Sequence, residues 1–195
     1  MAWVRVRPTA ADVAIANEIA AHTTPRAEQV AKALTWGADE HLLMALTAAW
    51  WLYSRGRPRR YRKIADHVFL TTLVTSALPH GLKTIFDQRR PDRLTVRGHW
   101  RGVPLSGNAC DAFPSGHAVH VGGLMSAASV LPKGQRNAIW LIGAALVTTR
   151  VVLLAHWTSD VLAGLAIGAL TERCMRRLTG YGMAREKTSA SGHRP

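Results

Sequence analysis

The sequence predicts an all-α protein: a helical bundle of about five membrane-spanning helices, preceded by amphipathic helices at the N-terminus. The main observation is a series of five runs without Asp, Glu, Lys or Arg, at 41–54, 68–82, 112–132, 137–149 and 161–171. Basic residues lie between these runs, so a mean hydropathy of zero conceals separate apolar and charged segments. Because a complete span needs about 20 apolar residues, several runs are short, and a soluble helical bundle is the alternative.

The N-terminal segment predicts two short amphipathic helices between residues 9 and 35. Thr24 followed by Pro25 is typical of a helix start, because threonine can cap the free N–H groups and proline suits the first turn. We divide the chain into three parts: an amphipathic or interfacial segment at 1–38, a membrane-embedded core at 39–178 and a disordered basic tail at 179–195.

Two further patterns favour insertion into a membrane. Tryptophans lie near the ends of the apolar segments, as in an interfacial belt: Trp36, Trp50, Trp51, Trp140 and Trp157. The last apolar run contains Gly164 and Gly168, a small-residue spacing that lets two helices approach closely.

Basic residues also predict an orientation. If the five helices span, the cluster at 55–63 and the arginines after Arg173 lie on one side, which the positive-inside rule makes cytoplasmic. The basic loop at 83–111 and the region of His156 then face outward. We therefore expect a multi-pass membrane protein with these two regions on its outer side. The small size of the chain favours a bacterial protein, so the expected location is the inner membrane, with these regions facing the periplasm or the cell exterior.

The charge balance limits the partners. With 25 Lys and Arg against 12 Asp and Glu, the net charge is +13, which favours an anionic partner. A nucleic-acid-binding protein would gather its basic residues on one soluble face, whereas here they alternate with apolar segments, so no nucleic acid is expected. Cys110 and Cys174 lack the spacing of metal ligands, and no metal or cofactor is predicted.

The stretch 149–160 places an arginine, a histidine and an aspartate in apolar surroundings, where such residues are unfavourable unless paired or used. His156 and Asp160 are four residues apart, so on a helix they would share one face, and Asp160 could accept a hydrogen bond from the His156 ring. That bond would leave the other ring nitrogen free to attack or to take a proton. Arg150 lies six residues before His156, about 240° around a straight helix. If both serve one site, the chain must turn between them.

Two earlier clusters suit the binding of a phosphoryl group. Lys83 and Arg90 follow an apolar run, and their cations can neutralise phosphoryl oxygens. Ser115, Gly116 and His117 open a predicted helix, whose free N–H groups attract anions. Ser115 adds a hydroxyl donor, Gly116 lets the backbone come close to an oxyanion, and His117 can donate a proton. The helix order puts both clusters and the histidine–aspartate stretch at one end of the bundle.

Together, the three clusters resemble the signature of the type-2 phosphatidic acid phosphatase family, which also includes vanadium haloperoxidases and bacterial acid phosphatases. Three patterns carry the resemblance: Lys83-x6-Arg90-Pro91, Pro114-Ser115-Gly116-His117 and Arg150-x5-His156-x3-Asp160. It covers about residues 40–175. It implies a helical bundle and metal-independent hydrolysis of phosphate esters through a phosphohistidine.

The resemblance also implies a role for each matching residue. His156 would be the nucleophile, Asp160 would orient it, and His117 would be the general acid that protonates the leaving oxygen. The phosphoryl oxygens would be held by Lys83, Arg90, Ser115, Gly116 and Arg150. The chain departs from the family at Thr149, where serine is common, and in lacking the glycine or proline that often lies near the nucleophile.

We therefore expect a membrane phosphatase acting on a lipid phosphate or diphosphate. Undecaprenyl diphosphate, phosphatidylglycerol phosphate, phosphatidic acid and a lipid A phosphate are the substrates considered, and the loop at 92–111 is expected to select among them. Three alternatives stay open: a lipid phosphotransferase, a vanadate-dependent haloperoxidase, and a non-catalytic membrane protein that binds anionic lipid. The oligomeric state is not predicted.

Overall fold

The computed structural model of the chain describes residues 3–91 and 110–182. Its α-helices are α1 (Ala10–His22), α2 (Pro25–Thr35), α3 (Glu40–Ser54), α4 (Arg59–Ile85), α5 (Gly116–Ala127), α6 (Lys133–Val152) and α7 (Thr158–Thr179). Short 3-10 turns follow α2 and α5, at Trp36–Ala38 and Ala128–Val130. Two short strands, β1 (Val4–Arg5) and β2 (Phe86–Asp87), pair in parallel with Val4 opposite Phe86. The predicted all-α class is confirmed.

Each of the five apolar runs overlaps one helix from α3 to α7. The basic cluster at 55–63 is only partly a connection, because α4 already begins at Arg59. Within residues 3–91 and 110–182, no helix combines the length and the apolarity needed to cross a membrane. The membrane spans therefore stay a prediction.

The N-terminal helices are capped as the sequence indicates, and α1 packs into the core. The Thr24 side chain accepts a hydrogen bond from the Ala27 backbone, with Pro25 in the first turn. In α1, Ala16 and Ala20 are buried against residues from the far half of the chain: Ala112, Leu154 and Trp157. The segment at 1–38 is therefore part of the packing around the 153–157 turn.

The closest helix contact joins α5 to α7 through glycines. A methyl group added at Gly164 would lie 2.7 Å from the Ser115 carbonyl oxygen, and one added at Gly168 would collide with the Val119 carbonyl. The close approach predicted from the Gly164 and Gly168 spacing is therefore present. It fixes the N-terminus of α5 beside the N-terminus of α7.

Two expectations fall mainly on residues outside the described part of the chain. The substrate-selecting loop lies largely at 92–109 and the disordered tail at 183–195. Where the structure describes the predicted tail, it is regular: α7 ends at Thr179, and Gly180 closes the helix in the left-handed conformation with φ of 67°.

Candidate active site

The turn between α6 and α7 brings His156 back towards Arg150. α6 ends at Val152, and the backbone N–H groups of Ala155 and His156 both donate to the Arg150 carbonyl, at 3.0 and 3.3 Å. Leu154 takes a left-handed conformation with φ of 52°, which costs about 1–2 kcal/mol for a residue other than glycine. Its buried side chain holds the turn. The break required for a shared site is therefore present without glycine or proline.

The His156 ring is oriented by a backbone carbonyl. Nδ1 lies 2.7 Å from the Ala112 carbonyl oxygen but 3.9 Å from Asp160 Oδ2, which is too long for a hydrogen bond. His156 also precedes α7, so the expected arrangement on one helical face is wrong. The carbonyl accepts a hydrogen bond from Nδ1–H, so Nε2 is the ring nitrogen left with a lone pair.

Asp160 stabilises the start of α7. Its carboxylate is fully buried, and Oδ2 accepts a hydrogen bond of 2.9 Å from the Trp157 backbone. That bond caps the helix directly after His156. Asp160 therefore positions His156 through the backbone of Trp157.

A second carboxylate holds the same helix start from α1. Asp12 is buried, and its oxygens accept hydrogen bonds from the Ser159 backbone at 2.9 Å and the Ser159 hydroxyl at 2.8 Å. Asp12 also caps its own helix by accepting from Thr9. This contact was not predicted from the sequence, since the capping box of α1 accounts for Asp12 locally.

Burial and nearby cations keep the His156 ring neutral. Burial lowers the pKa of His156 well below its ordinary value of 6.5, and the Arg90 and Arg150 cations lower it further. The hydrogen bond to Ala112 acts in the opposite direction. A neutral imidazole is the form that can attack phosphorus.

Two of the predicted phosphate-binding cations converge on a carboxylate that the sequence analysis did not single out. Arg90 donates from Nε and Nη2 to Asp111 Oδ1, at 2.9 and 2.7 Å, and Lys83 Nζ lies 3.4 Å from Asp111 Oδ2. Arg90 Nη1 also donates to the Ala155 carbonyl at 3.0 Å. An isolated β-bridge between Gln88 and Asp111 fixes this arrangement. Asp111 therefore holds both cations beside the His156 turn.

The other predicted phosphate-binding groups retain unpaired donors. Arg150 donates from Nη1 to the Thr35 hydroxyl at 3.0 Å, while its Nε is buried without a hydrogen-bond partner among the described residues. The Ser115 hydroxyl is likewise buried and unpaired within that part of the chain. Gly116 and His117 follow in the first turn of α5, where backbone N–H groups are free.

These residues surround one cavity of about 730 Å³. Six of the predicted site residues line it: Lys83, Arg90, Gly116, His117, Arg150 and His156. The other two do not line it: Ser115 precedes α5, next to the lining residue Gly116, and Asp160 lies in the first turn of α7. The rest of the lining comes from Asp111, Leu153, Pro79, His80 and residues of the 32–41 segment. The arrangement suits an anionic group with a neutral histidine beside it.

The sequence matches one family model. Residues 64–183 match the PAP2 superfamily. Two lipid A 1-phosphatases, from Rhizobium johnstonii and Rhizobium etli, are each 37% identical over 107 and 106 residues. Each match covers 54% of this chain but only 44% and 46% of the relative, so it spans less than half of those proteins.

Two solved structures share the fold. The crystal structure of Aquifex aeolicus LpxE aligns with a TM-score of 0.73 at 17% identity, covering 89% of this chain and 99% of that one. A PAP2 type phosphatidylglycerolphosphate phosphatase from Bacillus subtilis aligns with a TM-score of 0.61 at 21% identity, covering 86% and 84%. At these identities the likeness establishes the arrangement of the helices.

Proposed function

The chain belongs to the PAP2 superfamily, and from this premise we propose that it is a lipid phosphate phosphatase that works without a metal, through a phosphohistidine. The observation that carries the proposal is the His156 ring: Nδ1 is bound to the Ala112 carbonyl, and the side chain lines a cavity that also contains three cations. Nε2 is therefore the nucleophile.

In the first step, Nε2 of His156 attacks phosphorus, and the bond from phosphorus to the leaving oxygen breaks. His117, at the start of α5, shares the cavity with Lys83 and Arg150, so it becomes protonated as the phosphoryl dianion binds and offsets these cations. It then gives this proton to the leaving oxygen. Lys83, Arg90 and Arg150 neutralise the phosphoryl charge, which is the main requirement of phosphoryl transfer.

In the second step, His117 takes a proton from water, the water oxygen attacks phosphorus, and the phosphorus–nitrogen bond breaks. Inorganic phosphate leaves, and His156 returns to its neutral form. Asp111 accepts the hydrogen bonds of Arg90 and Lys83 when no phosphoryl group is present, so a phosphoryl dianion must compete with it for these donors.

Among the lipid phosphates, a lipid A phosphate is favoured by the names of the two Rhizobium relatives. Attachment to a bacterial membrane is supported by large apolar side chains that α3, α4, α6 and α7 expose. Examples are Leu46, Trp50, Leu73, Leu141, Ile142, Leu162 and Leu170. An outward-facing site would meet the phosphate groups of the outer leaflet.

Release of inorganic phosphate tests this function. Detergent-purified protein would be incubated, with chelator present, with lipid A, phosphatidic acid, phosphatidylglycerol phosphate and undecaprenyl diphosphate. We expect release from at least one lipid, loss of about 10⁴-fold in His156→Ala, and acid-labile phosphate on the quenched wild-type protein. Equal release by the variant, or release that chelator abolishes, would contradict the proposal.

A further inference from the structure

One wall of the cavity comes mainly from an earlier part of the chain than the three cations, and it carries aromatic, acidic and histidine side chains instead of lysine and arginine. It is built by the 3-10 turn after α2 and the first turn of α3, together with one residue of α4. These residues are Trp36, Asp39, Glu40, His41 and His80. All but His80 lie before the region that matches the PAP2 superfamily. This wall brings an aromatic ring and a carboxylate into the same cavity as the phosphate-binding groups.

Glu40 has several basic neighbours but no close one. Its carboxylate oxygens lie 3.7 Å from His80 Nε2, 3.9 Å from His120 Nε2 and 4.0 Å from His41 Nε2, all longer than a hydrogen bond. The Glu40 side chain is 30% exposed, so it is open to the cavity. Its acceptor capacity is therefore available to a ligand.

His120 lies behind Glu40 and does not line the cavity. It is 2% exposed, its Nδ1 lies 3.1 Å from the Thr75 hydroxyl, and its Nε2 has no hydrogen-bond partner among the described residues. The charged group facing His120 Nε2 is the Glu40 carboxylate, 3.9 Å away. His120 therefore supports Glu40 from the protein side, and Glu40 is the residue that meets the cavity.

Trp36 supplies an apolar face beside these polar atoms. Its side chain is 67% exposed while it lines the cavity. A flat aromatic face next to a hydroxyl-binding carboxylate suits a sugar ring, whose C–H face packs on the indole while its hydroxyls reach polar groups. A glycerol backbone offers no such ring.

We propose that Trp36 and Glu40 form a subsite for the sugar ring that carries the phosphate, with one sugar hydroxyl donating a hydrogen bond to the Glu40 carboxylate. This inference rests on the proposed phosphatase function and assigns its substrate to the glycosyl phosphates. The cavity of about 730 Å³ is of the size that holds a drug-sized ligand, so it has room for a ring as well as a phosphoryl group.

The test compares two substrates in mixed micelles, a lipid A that carries the 1-phosphate and dioleoyl phosphatidic acid. For the full chain we expect a higher kcat/KM on lipid A. In Glu40→Gln and Trp36→Ala, the ratio of kcat/KM for lipid A to that for phosphatidic acid should fall at least tenfold, mainly through KM. Glucosamine 1-phosphate should inhibit the wild type more strongly than glycerol 3-phosphate, and both variants should lose this difference.

Matched control variants are Glu18→Gln on α1 and Trp50→Ala on α3, neither of which lines the cavity. Both should keep the wild-type ratio. A proportional loss on both substrates in Glu40→Gln and Trp36→Ala, or an unchanged ratio, would overturn the sugar subsite while phosphate release continued to support the phosphatase. Release from phosphatidylglycerol phosphate or undecaprenyl diphosphate but not from lipid A would overturn the subsite alone. Release from none of the four lipids would overturn the phosphatase function, and the subsite with it.

Discussion

The two ends of α7 each hold a buried cluster of histidine, carboxylate and arginine, and the clusters differ in how their polar atoms are paired. Asp160, in the first turn of α7, lies near His156 and the arginines of the cavity. Glu172 lies twelve residues later, about 18 Å along the helix, with His67 and Arg176. The same residue types thus occur in two settings of one bundle.

At the Glu172 end, the polar side chains satisfy one another. His67 bonds to the Thr179 hydroxyl through Nδ1, at 2.9 Å, and to Glu172 through Nε2, at 3.0 Å. Glu172 also accepts from Arg176 Nε at 2.9 Å and from the Ser126 hydroxyl. This cluster links α4, α5 and α7 and needs no ligand.

At the Asp160 end, some hydrogen-bond donors are not paired within the described part of the chain. Arg150 Nε and the Ser115 hydroxyl are buried without partners among the described residues, and Arg150 lines the cavity. Both can donate to an oxygen anion, and both lie at helix ends. Both ends contain histidine, carboxylate and arginine, so residue type does not distinguish them. What distinguishes a structural cluster from a binding site here is whether the polar atoms already have hydrogen-bond partners.

The largest expected difference between the two ends is in catalysis. Arg150→Ala should lower kcat/KM by about 10²–10³-fold, because it removes a buried cation from the phosphoryl group. The same substitution should also weaken inhibition by orthovanadate, which is a phosphate analogue. Thr35→Val, which removes the hydroxyl that Arg150 Nη1 contacts, is the control and should have a smaller effect. Unchanged vanadate inhibition in Arg150→Ala would place this donor outside the anion site.

At the Glu172 end, a substitution should lower the stability of the fold rather than the rate of the reaction. Glu172→Gln leaves Arg176 and His67 without their shared carboxylate, and breaking a buried ion pair costs about 3 kcal/mol. For a chain of this size we expect the midpoint of thermal unfolding in detergent to fall by about 10 °C. The kcat of the folded protein should change less than twofold. The exposed Glu18→Gln is the control, and a large loss of kcat without loss of stability would contradict the structural role.

The site end was the more predictable of the two, because its residues come in short motifs. The spacing of Arg150 and His156 requires a turn, and the order of the helices brings Lys83, Arg90 and His117 to the same end. The detailed role of Asp160 was not predictable. A spacing of four residues places two side chains on one face only if both belong to the same helix. In the structure α7 begins after His156, and the Asp160 carboxylate accepts its hydrogen bond from the Trp157 backbone.

Contacts between segments that are far apart in the chain could not be predicted from a single sequence. His67 and Glu172 are 105 residues apart, and nothing near His67 distinguishes it from an ordinary polar residue. Asp111 and Asp12 were missed for a related reason. Each lies close to residues that explain it locally, and the partners that define its role, Arg90 and Ser159, come from other elements.

The smallest expected effect concerns the protonation state of His156, at the Asp160 end of α7. Burial and the two arginines lower the pKa of His156 well below 6.5 in the folded chain. At pH 5.5 an ordinary histidine is about 90% protonated, whereas His156 should stay mostly neutral. Its NMR ring signals, assigned by comparison with His156→Gln, should therefore change little between pH 7 and 5.5. A midpoint near 6.5 would contradict the buried, cation-flanked environment.

The same shift has a consequence for stability, with a definite sign. Below pH 6.5 the unfolded chain binds a proton at His156 that the folded chain does not, so the free energy of unfolding falls as the pH is lowered through this range. Above pH 6.5 both states are neutral at this residue, and its contribution is constant. His156→Gln should therefore lose less stability than the wild type between pH 7 and 5.5. The thermal midpoints of the two proteins, measured across this range, decide the point, because an equal loss in both would mean that His156 takes up its proton equally readily in the folded chain.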